Sequence, residues 1–199
     1  ITETSTFVTM NWPGKNRTMG SCGLALPGLS VRIINPQNNI DVKSNEEGEL
    51  ICRGPNVMLG YHNKIEETKK VLKDGWYYTG DLAKQDENGF LTITGRLKEI
   101  IIRGGQNISP TEVEEAILKN EEILDCAVVG LPHEQLGEVP GAFVIIKEGH
   151  ELNEQKIINK CKKLISDYKV PEKIILTDNI PRTGSGKTMR FKLIQSYKN

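Results

Sequence analysis

The sequence predicts a mixed α+β chain in two parts, β-rich over residues 1–97 and α+β over residues 98–199. Three observations carry this. Up to residue 97, short apolar runs are punctuated by glycine, proline and asparagine, the rhythm of strands and turns. After residue 98, strand-like runs alternate with amphipathic helical stretches. No internal repeat or low-complexity tract blurs the change.

In the first part, residues 29–34 largely alternate and stop at Asn35-Pro36, and residues 48–53 form a second strand-like run. A helix is expected over residues 65–72, ending before Asp74-Gly75. Asn88-Gly89, between the runs 81–84 and 90–94, predicts a two-residue hairpin loop because both residues accept the positive φ of a type I′ turn. In the second part, Ser109-Pro110-Thr111-Glu112 reads as a capping box with proline at the first helical position, opening a helix to about residue 119. Strands are expected over residues 126–130, 141–146 and 174–176. A helix over residues 154–168 would place Ile157, Cys161, Leu164, Ile165 and Tyr168 on one face.

Composition narrows the function. With 37% hydrophobic and 26% charged residues the chain is globular and can bury a core. Lysine plus arginine equals aspartate plus glutamate at 26 each, so no charge imbalance argues for nucleic acid or an anionic membrane as partner, and a small molecule is expected instead. No apolar run approaches the roughly 20 residues of a membrane span, and residues 1–20 have no signal-peptide pattern, which points to the cytosol. Cys22, Cys52, Cys126 and Cys161 form no C-x-x-C pair, so reduced thiols, three of them in apolar segments, are expected. His62, His133 and His150 lack metal-ligand spacing, and Trp76, Tyr77 and Tyr78 are expected to pack a core. The start at Ile1-Thr2-Glu3-Thr4-Ser5, without methionine, suggests a cut or processed boundary, where Glu3 is expected to be loosely ordered.

Six segments stand out in order: Thr2-Glu3, Gly48-Glu49-Leu50, Tyr78-Thr79-Gly80-Asp81-Leu82, Gly95-Arg96-Leu97-Lys98, residues 104–114 opening with Gly104-Gly105, and Pro181-Arg182-Thr183-Gly184-Ser185-Gly186-Lys187. The last ends like a phosphate-binding P-loop, G-x-x-x-x-G-K-[ST], but Pro181 stands where its first glycine belongs. Only twelve residues follow Lys187, too few for the rest of such a fold.

Taken together, the six motifs resemble the adenylate-forming superfamily: acyl-CoA synthetases, aryl-CoA ligases, beetle luciferases and peptide-synthetase adenylation domains. The resemblance spans almost the whole chain. It implies that residues 1–97 are the β-rich C-terminal part of a large AMP-binding domain, and that residues 98–199 are a small mobile α+β domain carrying a catalytic lysine. Lys98 would then sit at the hinge.

The implied activity is acid–CoA ligation. A carboxylate and ATP give an acyl-adenylate and pyrophosphate, and the thiol of coenzyme A then displaces AMP. Fatty acids are the default substrate class, and aryl acids stay open. By the same resemblance Asp81 accepts the ribose hydroxyls, with charge-assisted bonds, and Arg96 meets the ribose and phosphate side with its planar fork. Ile93 packs near the nucleotide, and Thr2 and Glu3 serve ATP and Mg²⁺, a cation that prefers hard oxygen ligands. Gly105 lines the path of the pantetheine arm. Lys187 would be catalytic, its ammonium easing the approach of two anions. A Gly- and Ser/Thr-rich loop for the β- and γ-phosphates and an acyl pocket are both missing from these residues, so the chain alone is expected to be inactive. Two other readings stay open: a ligase that loads a carrier protein, and a non-catalytic nucleotide-binding regulatory module.

Overall fold

The β-like runs of the first part pair as antiparallel strands in the structure, a computed structural model that describes residues 1–13 and 17–198. The chain divides into two units, Ile1–Lys98 and Glu99–Asn199, and the class is mixed α+β, as expected. In the first unit a 3-10 turn at Thr2–Thr4 leads to a small ribbon of β1 (Thr9–Met10) and β2 (Leu24–Ala25). Then come β3 (Ser30–Ile34), β4 (Gly48–Arg53), α1 (Ile65–Val71), β5 (Leu72–Lys73), β6 (Trp76–Gln85) and β7 (Leu91–Arg96). Their sheet runs β3-β4-β6-β5, with β7 also on β6. Ile33, Leu50, Ala83 and Leu91 form one core cluster, and Val8, Cys52 and Tyr77 another.

Both β4 and β6 bury residues on two faces, which explains why Leu50, Ile51 and Cys52 read as an unbroken apolar run. Trp76 and Tyr78 have polar company: the guanidinium of Arg53 lies 4.7 Å from the Trp76 ring centre, and the Lys73 ammonium 4.6 Å from that of Tyr78.

The second unit contains β8 (Ile101–Arg103), β9 (Gln106–Ile108), α2 (Pro110–Leu118), β10 (Ile123–His133), β11 (Gly137–Ile146), α3 (Glu154–Cys161), β12 (Lys173–Leu176) and α4 (Arg190–Lys198). The sheet order is β10-β11-β8-β9, and β12 joins β11 in parallel. Side chains of β10 alternate between two cores. Cys126 and Val128 pack with Val113, Ile117 and Ile157 from α2 and α3, whereas Ala127, Val129 and Leu131 pack with Leu193 from α4. Burial pushes the thiols of Cys52, Cys126 and Cys161 up to about 11, 12 and 11.

Three local expectations are corrected, and one helix had not been expected. The Asn88-Gly89 turn is not type I′: β6 and β7 are joined by residues 86–90, with Gly89 at φ 88 and Asn88 not left-handed. Asp86 decides this, its carboxylate accepting from the amides of Asn88 (2.9 Å) and Phe90 (2.8 Å), while its carbonyl accepts from Gly89. Two consecutive positive φ angles occur instead in the hairpin loops at Asp74-Gly75 (50 and 78) and Gly104-Gly105 (55 and 85), and also at Ser5-Thr6 (50 and 90).

The capping box does not close. Ser109 is the N-cap without a side-chain cap bond, and Glu112 turns to the Lys169 ammonium, at 2.7 and 2.8 Å from its two oxygens. The helix expected to reach residue 168 ends at Cys161. Beyond it Lys163 and Leu164 donate to the carbonyls three residues back, Ser166 is extended, and a 3-10 turn at Asp167–Lys169 returns Tyr168 to the core, leaving Leu164 49% exposed. Finally, α4 was not expected, because its apolar residues show no clean helical stripe.

Candidate functional site

The Thr79-Gly80-Asp81 segment is a bulge in β6. Glu49 pairs with Leu82 and Ile51 with Tyr78, so Leu50 alone faces three residues of β6. Each motif residue has a task. The Thr79 hydroxyl donates to the Leu50 carbonyl at 2.7 Å and accepts from the Asp81 amide at 3.0 Å, replacing ladder bonds that the bulge removes. Gly80 takes φ 68, a left-handed conformation that costs a side chain-bearing residue about 1–2 kcal/mol. Its amide donates to the Glu49 carboxylate at 3.0 Å.

Asp81 thus emerges at the end of a braced bulge, and it meets Arg96. The Arg96 Nε lies 2.7 Å from Asp81 Oδ1, with side-chain exposures of 42% and 11%. The strands pair Asp81 with Arg96 and Ala83 with Ile93, so Ile93 and Arg96 share a face despite their odd spacing. Thr94 is the extra residue that makes this possible. Ile93 is 41% exposed, more than a core residue needs.

Thr2 and Glu3 lie in the first 3-10 turn and are fastened, against the expectation of a loose end. The Glu3 carbonyl accepts from the Met58 amide at 2.8 Å, and the Asn56 side-chain amide donates to the carbonyls of Thr4 and Phe7, both at 2.8 Å. Glu3 Oε1 accepts from the Tyr61 hydroxyl at 2.9 Å. The phenol of Tyr77 is raised by burial, then by Glu3, by Tyr61 and by Asp81, so it lies in the field of both expected carboxylates. Among the described residues no group of three or more His, Cys, Asp or Glu side chains could hold a metal. Glu3 is the carboxylate that would serve Mg²⁺, a cation that keeps its waters and substrate phosphates and asks a protein for only one or two carboxylates.

In the second unit Gly105 occupies the tip of the β8–β9 hairpin, where an added Cβ would meet nothing within 4 Å. The Gly104 amide donates to the Leu136 carbonyl at 2.8 Å, and Arg103 anchors the hairpin base to the Tyr168 carbonyl and the Glu172 carboxylate at 2.8 and 3.1 Å. Lys98 is exposed in a 3-10 turn, Leu97–Glu99. Lys187 is exposed on a short loop. There the Thr183 amide donates to the Lys187 carbonyl at 2.8 Å, and the amides of Gly186 and Lys187 return to the Thr183 carbonyl and hydroxyl at 2.9 and 3.1 Å. Those amides are engaged and cannot cradle phosphates as a P-loop would. Gly186, at φ 83, needs its glycine for conformation; Gly184 does not.

Asp81, Arg96 and Ile93 are therefore brought onto one face, with Thr2 and Glu3 in the same unit, while Gly105 and Lys187 belong to the second. Sequence reasoning gave no role to Glu49 or Tyr61. The sequence signal for Glu49 was a carboxylate inside an otherwise apolar strand, and Tyr61 had none beyond following Gly60. Burial raises the carboxyl of Glu49, an effect opposed by the Gly80 amide and Lys73. A cleft of about 510 Å³ in the second unit is lined by Lys119, Lys156, Asn159, Lys160, Lys163 and Leu164, none of them an expected site residue.

Comparison with known proteins agrees with this geometry. Residues 1–62 match the model of the AMP-binding enzyme family and residues 112–187 that of the AMP-binding enzyme C-terminal domain. A long-chain-fatty-acid–CoA ligase of Yersinia pestis is 39% identical over 193 residues, covering 97% of this chain and 34% of the relative. An indoleacetate–CoA ligase of Aromatoleum aromaticum is 41% identical over 174 residues, covering 87% and 34%. The structure of o-succinylbenzoate CoA synthetase from Bacillus subtilis, in complex with its acyl-adenylate intermediate, superposes with a TM-score of 0.89 at 31% identity, covering 97% of this chain and 39% of that one. The chain belongs to the adenylate-forming, AMP-binding enzyme family, and the two curated relatives named above are acid–CoA ligases. It spans about a third of the length of those curated relatives.

Proposed function

We propose that the chain is the C-terminal part of an ATP-dependent acid–CoA ligase, with residues 1–97 closing a large nucleotide-binding domain and residues 98–199 forming a mobile catalytic domain that pivots near Lys98. The carrying observation is the Thr79-Gly80-Asp81 bulge, whose hydrogen bonds are arranged so that a buried carboxylate emerges beside a guanidinium. A carboxylate in that position accepts two vicinal hydroxyls of a ribose, and the adjacent planar cation suits the phosphate side.

Ile93 gives the same face an apolar surface for the nucleotide, and Thr2 with Glu3 serves Mg²⁺ on the phosphates. Lys187 neutralises charge as a carboxylate attacks the α-phosphorus of ATP. Gly105, free of a side chain at a hairpin tip, then lets the pantetheine arm of coenzyme A pass close to the backbone. A fatty acid is the proposed substrate class, supported by the Yersinia pestis relative.

The test is carboxylate-dependent exchange of pyrophosphate into ATP by the ligase that contains this chain, across fatty and aryl acids, with and without Lys187→Ala. Exchange confined to fatty acids and lost by about 10²-fold or more in the variant is expected, on the scale of removing one transition-state contact. AMP binding with no exchange for any acid would replace this reading with a regulatory nucleotide-binding module.

A further inference from the structure

The Lys187 loop is bolted to the sheet by contacts to which the resemblance assigns no role, one of them to Asp125, a residue outside all six motifs. Arg182 opens the loop, and its guanidinium makes three kinds of bond. Nη1 donates to the Gly186 carbonyl at 3.0 Å and to the Thr188 hydroxyl at 3.1 Å, bracing the loop from within. Nη2 donates to Asp125 Oδ2 at 2.7 Å, tying the loop to β10. The backbones of Arg182 and Thr188 also form an antiparallel bridge.

Asp125 is aimed for this contact. Ile123 pairs with Ile146 and Asp125 with Ile145, so Leu124 is an extra residue, a bulge of the kind that redirects the next side chain. Asp125 Oδ1 is held by the Cys126 amide at 2.9 Å, leaving Oδ2 to face Arg182. A second foot stands on the same strand: Arg190, just past the loop, donates to Glu114 at 2.9 Å, and Glu114 accepts from the Val128 amide at 2.8 Å.

Burial separates the two feet. Arg190 and Glu114 are 17% and 16% exposed, as a structural anchor would be; Arg182 and Asp125 are 40% and 31% exposed. An ion pair that open to water adds little to global stability. Its geometry nevertheless fixes the orientation of the residues flanking Lys187, and a flexible lysine on an untethered loop would have to find its target anew in each turnover.

We propose that Asp125 is a positioning residue for Lys187, acting through Arg182 and serving adenylation but not thioester formation. The inference rests on the ligase reading above. Its test measures both half-reactions in the ligase that contains this chain, for Asp125→Ala, Asp125→Glu, Arg182→Gln and Lys187→Ala, together with amide hydrogen exchange at Gly186 and Lys187.

In Asp125→Ala and Arg182→Gln, adenylation should fall by roughly tenfold to hundredfold, the scale on which a small misplacement of a catalytic group acts. Thioester formation from supplied acyl-adenylate should hold, exchange at Gly186 and Lys187 should quicken, and Asp125→Glu should recover part of the rate. Adenylation and exchange both unchanged would overturn the proposal, as would an equal loss in both half-reactions accompanied by a lower melting temperature. Should Asp125→Ala fail to fold, Arg182→Gln carries the same readouts. Full adenylation by Lys187→Ala would overturn the proposal too, since Lys187 would then have no adenylation to be positioned for; no adenylation by the unsubstituted ligase would instead defeat the ligase reading, and the amide exchange rates would still score the strut.

Discussion

At the scale of single residues, the site of the first unit depends on a carboxylate with no expected role. Glu49 is 7% exposed, receives the Gly80 amide, and has its carboxyl raised above the ordinary 4.5, chiefly by burial. A carboxyl raised in the folded state binds its proton more tightly there than in the unfolded chain. Its contribution to stability is therefore fully present below pH 4.5 and is lost as the pH climbs through the raised value. Glu49→Gln should remove that loss, because an amide oxygen still accepts from Gly80 without carrying charge into the sheet. The melting temperature of the variant minus that of the parent should rise between pH 4 and pH 7. A flat difference would mean that Gly80 and Lys73 fully offset the effect of burial on the Glu49 carboxyl. Tyr61 sits in the same position with respect to Glu3 as Glu49 does to Gly80: both support residues that the motifs named, and neither was legible as support.

At the scale of elements, glycines divide into those that need a conformation and those that need space. Gly80 has φ 68 and open space around a notional Cβ, so Gly80→Ala should cost about 1–2 kcal/mol through backbone strain. Gly48 has an ordinary φ, but a Cβ there would stand 2.4 Å from the Ile34 carbonyl oxygen, so Gly48→Ala must push β3 and β4 apart and should cost more, up to about 3 kcal/mol. Denaturant titrations followed by the intrinsic fluorescence of Trp12 and Trp76 should rank them in that order; the reverse would mean that the bulge, not the β3–β4 contact, limits the stability of this sheet. The same division shows what the sequence could tell. Strand β4 and the start of α1 were legible because apolar runs and their punctuation are local. The Asn88-Gly89 turn was misread because Asp86 outcompetes the type I′ geometry with two side-chain bonds, and no pattern distinguishes that aspartate from any other. The capping box failed for a non-local reason, since Lys169 lies 57 residues from Glu112. Both bulges that shape the Asp81, Arg96 and Ile93 face are set by pairing across strands, which a linear pattern does not record.

At the scale of the whole molecule, two units each have cores of their own, and the chemistry expected of the chain is distributed among residues that each unit merely displays. Asp81 and Arg96 are held by the first sheet, whereas Gly105 and Lys187 stand on a hairpin tip and a loop of the second. Acyl adenylation needs more than a ribose contact and a lysine: the β- and γ-phosphates must be gripped, and the acid must be shielded from water. The loop that ends in Lys187 turns the amides of Thr183, Gly186 and Lys187 back onto itself, so those three are not available to grip phosphates. Among the described residues no group of three or more acidic, histidine or cysteine side chains could hold a metal. The 199-residue chain by itself should therefore fold, yet show no acid-dependent pyrophosphate exchange above background, with fatty or aryl acids, at any ATP concentration that saturates its relatives. Exchange that the chain sustains alone, and that Lys187→Ala abolishes, would show that the phosphate grip resides within these residues. The search for it would then begin at the Thr183-Gly184-Ser185-Gly186 turn, whose Thr183 and Gly186 amides the fold now engages elsewhere.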